Sequence, residues 1–286
     1  MSAAQTGTST RVGFVGVGRM GSVMLKCVLQ SGFHATLCDP AEQALAPFLS
    51  EFPTQVKVAQ TPAEAARECE IIEVVVNTNE QALNACLGPE GVIAGAQPGS
   101  VLLIHSTLSH ETLDQLADAA IARGVHLLDA MVSGARGHLS VPNLAVMVGG
   151  DAEAFARAKP VMDTYGGLVL HLGGSGAGLD AKLSINLLRY LCMVASMEAT
   201  RLAERAGIAD VLPQLVAHTE ANRFVGDFAR LRGMAAVPEE NRRKDAVLAQ
   251  KDLRAALARA SEVGIALPST ENAVDLMHTL WGTTLE

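Results

Sequence analysis

Short β-rich, largely apolar runs punctuate the chain as far as Leu172. They are Val12–Val17, Ala35–Cys38, Ile71–Val76, Val101–Ile104, His126–Met131, Leu144–Val148 and Val169–Leu172. Several are nearly continuous in Val, Ile and Leu, as strands covered on both faces require. Between them apolar residues recur at helical spacing, as in Met20–Gln30, Ala63–Glu68 and Glu111–Arg123. Strand and helix signals in alternation predict βαβ units and a parallel sheet.

After Leu172 the pattern changes. Gly173-Gly174-Ser175-Gly176-Ala177-Gly178 reads as a hinge. From Leu179 onward only helical spacing appears, broken near Gly207, Pro213, Gly233–Pro238 and Gly264–Pro268. Leu179–Arg205 is apolar on most sides, so a long helix joining two domains and buried between them is expected. Pattern alone therefore predicts a polar tail (residues 1–10), an α/β domain with a parallel sheet (residues 11–173) and an all-α domain (residues 174–286). The last is expected to serve substrate binding and dimerisation.

Composition narrows the functional classes. Of the 286 residues, 49% are hydrophobic and 18% charged, enough apolar surface for one large core or two ordinary ones. The net charge is −8 and no basic stripe is visible, which argues against a nucleic-acid partner. An anionic ligand would need locally placed cations. No window holds the roughly 18 apolar residues of a membrane helix, so no membrane partner is expected. Met1–Thr10 lacks the apolar stretch of a secretory signal and is expected to fray. Cys27, Cys38, Cys69, Cys86 and Cys192 are widely spaced, odd in number and without a CxxC pair. Reduced thiols and a cytoplasmic location are expected, and no metal.

The first candidate chemistry lies at the end of the first strand. Gly16-Val17-Gly18-Arg19-Met20-Gly21 has the Gly-x-Gly-x-x-Gly spacing between a strand and a helix. The first glycine permits a tight turn, the second lets a pyrophosphate approach the backbone, and the third lets helix and strand pack closely. Helix N–H groups then face the phosphates. Together with the βαβ pattern this predicts a Rossmann-type dinucleotide-binding domain. Asp39 ends the next strand, where a carboxylate can hold the ribose 2′-hydroxyl of NAD. Pro40 follows it, not the arginine that would favour a 2′-phosphate, so NAD is expected rather than NADP. The alternative for Asp39 is an ordinary turn residue before proline.

The second lies on the long helix. Lys182 and Asn186 are four apart and share one helical face, which Arg189 extends. That stripe could be solvated. In a low-dielectric setting, however, a lysine loses preference for its charged form and can exchange protons near neutral pH.

At this point the residues resemble the β-hydroxyacid dehydrogenase family, which includes 3-hydroxyisobutyrate dehydrogenase and tartronate semialdehyde reductase. The likeness spans about residues 11–280. Phe14-Val15-Gly16-Val17-Gly18-Arg19-Met20-Gly21 resembles its cofactor motif, and Asp129-Ala130-Met131-Val132-Ser133-Gly134 its substrate motif, closed by Met147-Val148-Gly149-Gly150. Gly176-Ala177-Gly178-Leu179-Asp180-Ala181-Lys182 with Asn186 resembles its catalytic motif, and Lys251-Asp252-Leu253 its C-terminal cofactor motif. The resemblance implies that Lys182 is the general acid/base and that Asn186 positions the reacting oxygen. It implies that Ser133 and the backbone at Gly134 bind the substrate carboxylate. It places Val76, Asn77, Thr107 and Lys251 near the cofactor and lets Asp252 orient the site. Taken alone, Ser133-Gly134 could be a turn, Thr107 a helix cap and Lys251 a solvated residue.

The chain departs from that family at several positions. Met131 replaces a usual proline, Ala135 and Arg136 follow Gly134, His138 and Pro142 alter the same loop, Ile185 replaces a common asparagine, and Lys244 stands where an aromatic residue is frequent. Arg136 and Lys244 either grip an anionic substrate or point into solvent. The expectation is an enzyme moving a hydride between NAD and a small anionic 3-hydroxy acid, active as a homodimer or homotetramer. The alternatives are an NADPH-dependent short-chain aldehyde or imine reductase, and a non-catalytic dinucleotide-binding scaffold.

Overall fold

A computed structural model describes residues 10–134, 143–219 and 238–281. Its chain contacts divide into two units, Met1–Lys182 and Leu183–Glu286.

The first unit runs β1 (Arg11–Val15), α1 (Gly21–Gln30), β2 (His34–Cys38), α2 (Glu42–Glu51), β3 (Val56–Val58), α3 (Pro62–Ala66), β4 (Ile71–Val74), α4 (Asn79–Cys86), α5 (Val92–Gly95), β5 (Val101–Ile104), α6 (His110–Ile121), β6 (His126–Ser133), β7 (Leu144–Gly149), α7 (Ala152–Met162) and β8 (Gly166–Gly173), then enters α8 (Ala177–Arg205). Among the described residues the strands form one eight-stranded sheet in the order β3-β2-β1-β4-β5-β6-β7-β8. The chain winds outward from β1 in one direction, then restarts at β4 on its other side. Ligands of open parallel sheets bind at such a switch point, outside the carboxyl ends of the strands.

Every strand pair is parallel except β6 with β7. The ten residues 134–143 between them fall short of the dozen or more that a parallel crossover needs, so β7 returns antiparallel. The parallel sheet expected from the sequence therefore carries one antiparallel pair. The three-residue strand β3 escapes the pattern too, because only Val56 of Val56-Lys57-Val58 is buried. Phe14, Leu37, Leu103, Leu128 and Val148 are fully buried on the strands, and Met24, Leu25 and Val28 pack from α1. Each such side chain contributes about 1.5–3 kcal/mol.

A buried polar cluster interrupts this core. Glu73, in the middle of β4, is fully buried, and the Tyr165 hydroxyl donates to its two oxygens at 3.1 and 3.2 Å. His105 Nδ1 lies 2.5 Å from the Ala130 carbonyl, and its Nε2 lies 2.6 Å from Glu73 Oε2. Burial beside Glu73 pushes the Tyr165 phenol well above its ordinary range.

The second unit is helical where described. It holds the rest of α8, then α9 (Leu212–Ala217) and the helices Glu239–Glu262 and Pro268–Trp281. Its core is Tyr190, Met193, Met197, Ala246, Ala249, Leu253, Val274, Met277 and Trp281. The division between units falls inside α8, after Lys182. The first turns of α8 are bonded to β6, as described next, and so move with the sheet. No helix among the described residues is long and apolar enough to cross a membrane.

Candidate active site

The glycine turn sits at the carboxyl end of β1. Gly16 has φ +92, a left-handed conformation that disfavours other residues, and a Cβ there would overlap the Val75 carbonyl oxygen on the adjoining strand. A Cβ on Gly21 would overlap the Gly16 carbonyl. Packing inside the protein therefore explains both. Gly18 is different: a Cβ there would meet nothing within 4 Å. The space beside it adjoins the start of α1, which has no side-chain cap and no acidic residue in its first turn. Thr61, Thr78, Ser109 and Asp151 cap α3, α4, α6 and α7, while α2 and α5, like α1, start without a side-chain cap. An uncapped helix start with a bare backbone approach suits a pyrophosphate, which would take up the orphan N–H groups and the positive end of the helix dipole. Arg19 is exposed there and Met20 half-buried.

Asp39 does more than follow a strand. Its Oδ2 accepts from the Val17 N–H at 2.6 Å and its Oδ1 from the Ala41 N–H at 2.8 Å. The carboxylate thereby ties the glycine turn to the β2–α2 turn, while each oxygen keeps a further lone pair for a hydroxyl. At the ends of β4 and β5, the Ser106 hydroxyl donates to the Val76 carbonyl at 2.7 Å and accepts from the Val76 N–H at 3.1 Å. The Asn77 N–H donates to Gln81 Oε1 at 2.9 Å. Thr107 does not cap α6; Ser109 does. Val76, Asn77 and Thr107 thus stand on the same sheet edge as the glycine turn. Ser106 was absent from the sequence expectation, because a serine after a strand carries no distinguishing pattern.

The substrate and catalytic motifs meet along β6. Ser133 is the last residue of that strand and half-buried, with Gly134 exposed beyond it. Lys182 Nζ donates to the Val132 carbonyl at 2.8 Å, next to Ser133. Three residues back on the same strand, Asp129 is fully buried and accepts from the N–H groups of Gly176 at 2.9 Å and Leu179 at 2.8 Å. Burial raises its carboxyl above the usual range while these N–H bonds oppose the rise. His110 Nε2 lies 2.8 Å from Asp180 Oδ1, a further tie to the first turn of α8. Asp129 had a detectable signal: like Glu73, it is an acid inside a largely apolar strand, where an unpaired charge would be costly.

In the second unit, Asn186 and Asp252 are both buried, and Asn186 Nδ2 donates to Asp252 Oδ2 at 2.8 Å. Asn186 Oδ1 is buried with no hydrogen-bond partner among the described residues. Lys251 Nζ lies 3.3 Å from Asp252 Oδ1. Lys244, one of the two expected extra cations, is exposed and pairs with Glu240 at 2.7 Å. Ala135 and Arg136 lie outside the described residues.

The NAD-binding domain of 6-phosphogluconate dehydrogenase matches residues 11–173. An uncharacterised oxidoreductase of Mycobacterium tuberculosis is 33% identical over 274 residues, 92% of this chain and 90% of that protein. The 3-hydroxyisobutyrate dehydrogenase of Pseudomonas aeruginosa is 34% identical over 202 residues, 70% of this chain and 66% of its own length. Among solved structures, a 3-hydroxyisobutyrate dehydrogenase of Mycobacterium tuberculosis with L-serine has a TM-score of 0.78 at 27% identity, covering 96% of this chain and 94% of that one.

Proposed function

The chain belongs to the β-hydroxyacid dehydrogenase family, with an NAD-binding domain of the 6-phosphogluconate dehydrogenase type, and on that premise we propose that it interconverts a small anionic 3-hydroxy acid and its semialdehyde or ketone, using NAD. The observation that carries the reading is the Lys182 ammonium held 2.8 Å from the Val132 carbonyl, beside Ser133, at the sheet edge that also bears the glycine turn. It gives a proton carrier and a hydroxyl donor on the side of the sheet where a dinucleotide binds.

The bound nicotinamide would supply the site that takes or gives the hydride. The chain's own residues do the rest. Ser133 and nearby backbone N–H groups hold the substrate carboxylate. In oxidation, neutral Lys182 takes the hydroxyl proton at Nζ; in reduction, protonated Lys182 returns it to the carbonyl oxygen. Such acid–base help contributes roughly 10²–10⁴-fold. Asn186, four residues beyond Lys182 in the sequence, keeps the role the resemblance implies, positioning the reacting oxygen. Asp39 favours NAD, since its carboxylate welcomes a ribose hydroxyl and repels a 2′-phosphate. The relative solved with L-serine supports a 3-hydroxy acid, and Ile185, Leu188 and Leu202, exposed along α8, support a homodimer or homotetramer.

The test is absorbance at 340 nm with both cofactors and a panel of 3-hydroxyisobutyrate, glycerate, threonate, 4-hydroxybutyrate, serine, threonine and sulfonated analogues. Turnover with NAD on an acidic 3-hydroxy compound is expected. Lys182→Ala should lose about 10²–10⁴-fold in kcat with dinucleotide affinity retained. Near-normal turnover of that variant overturns the assignment.

A further inference from the structure

The carboxylate of Asp129 is unusual in its company. It projects from an apolar strand, is fully buried, and spends both oxygens on the first turn of a helix 47 and 50 residues away in sequence. A residue local to α8 could have capped it. The cap comes instead from the strand that carries Ser133.

The surroundings are shaped for this carboxylate. A Cβ on Gly149 of β7 would sit 2.5 Å from Asp129 Oδ1. A Cβ on Gly178 of α8 would sit 2.5 Å from the Asp129 carbonyl and 2.9 Å from Oδ2, and would overlap the Met147 carbonyl as well. Two glycines thus let β7 and α8 close directly on Asp129, leaving no slack around it. One turn further along α8, Lys182 Nζ returns to the Val132 carbonyl of the same strand. Strand and helix are bonded at two levels, with the carboxylate at the base and the ammonium at the top.

We propose that Asp129 is the positioning residue for Lys182: by holding the first turn of α8 against β6, it fixes where the Lys182 amine stands relative to the end of that strand. This rests on Lys182 being the acid/base. The physical basis is the rigidity of a helix. Each residue advances about 1.5 Å along the axis, so a slip of one residue at the first turn carries Nζ out of reach of Val132. A misplacement of about 1 Å costs roughly 10²-fold in rate. The half-exposed His110–Asp180 pair also touches this turn, but its screened contact constrains the helix less than a buried carboxylate does.

The experiment is a double-mutant cycle between Asp129→Asn and Lys182→Ala, with dinucleotide binding stoichiometry counting active sites. Asn has the shape of Asp but turns one acceptor into a donor, which must face an N–H group of α8. Asp129→Asn is expected to lower kcat per active site by about 10–100-fold, with KM and dinucleotide Kd changed less than about twofold. In the Lys182→Ala background the same change should cost nothing further, because the residue it positions is gone. Should Asp129→Asn fail to fold, Asp129→Ser, which keeps one acceptor in less volume, carries the same cycle. An equal loss in both backgrounds, or a loss that tracks only the count of active sites, overturns the proposal. If Lys182→Ala is inactive and Asp129→Asn matches the wild type, the acid–base assignment stands and the positioning role falls. If Lys182→Ala keeps its turnover, both fall.

Discussion

Substitution of Gly18 and Gly21 should separate what the fold needs from what a dinucleotide needs. At Gly18 a methyl group would contact nothing within 4 Å, and the backbone is not left-handed. Gly18→Ala therefore adds no steric cost, and it restricts the unfolded chain, which is worth about 0.4–1 kcal/mol in favour of folding. The melting temperature should stay level or rise slightly. The same methyl occupies the bare approach to the start of α1, so a bound pyrophosphate must retreat from the N–H groups there. Loss of one charge-assisted hydrogen bond costs about 1.5–3 kcal/mol, or roughly 10–150-fold in Kd. At Gly21 the methyl would overlap the Gly16 carbonyl, a backbone atom that cannot swing aside. Overpacking of this kind costs about 1–3 kcal/mol and should lower the melting temperature by roughly 2–12 °C. The assay is a thermal melt with and without NADH, together with a fluorescence titration of NADH. In the wild type, NADH at 100 times its Kd should add about 2.7 kcal/mol of stability. In Gly18→Ala the melt without NADH is preserved and the NADH-induced shift shrinks. A Gly18→Ala protein that melts several degrees lower yet binds NADH normally would show that Gly18 is a structural turn and refute the reasoning.

Other consequences can be checked alongside. Burial pushes the Cys86 thiol from 9.0 up to about 12, so the folded state keeps a proton that the unfolded state releases above pH 9; stability is full below that pH and falls as pH rises toward 12, by about 1.4 kcal/mol per pH unit. Cys69, pushed up to about 11, adds to the same slope; Cys86→Ala should therefore reduce it by about 1.4 kcal/mol per pH unit in urea melts between pH 9 and 11, and an unchanged slope would rule the Cys86 thiol out as a contributor. Tyr165→Phe removes the hydroxyl that serves both Glu73 oxygens and should cost about 1–3 kcal/mol in denaturant unfolding with kcat untouched; a loss of kcat at full stability would contradict a purely structural role for that buried group. Lys244→Ala should leave the melting temperature where it is, since the lysine is exposed and pairs only locally with Glu240; its KM values across acidic substrates report whether it also meets the substrate, and a uniform KM would remove it from the site.

Much of this molecule is written in the chain itself. Continuous apolar runs declare strands buried on both faces, and the change to helical spacing after Leu172 declares a second kind of architecture, because both periodicities are local properties of the backbone. The glycine spacing at Gly16–Gly21 is equally local, and so is the four-residue interval from Lys182 to Asn186. The resemblance of four ordered motifs supplied the family. What the sequence could not decide is which local signals meet. Only the folded sheet shows that Gly16 and Gly21 answer to internal packing while Gly18 does not, since that depends on which backbone lies across from each. Only the fold turns β7 antiparallel, places Ser106 across Val76, and spends Asp39 on the glycine turn before any ribose arrives. Spacing offered Lys244 either as a pocket cation or as a solvated one; the fold adds that it stands exposed beside Glu240. Asp129 is the clearest case. In the sequence it is an acid inside an apolar run; in the structure its two oxygens cap a helix nearly fifty residues away. A pairing of that kind depends on sheet order and helix direction, which no stretch of sequence near either partner contains.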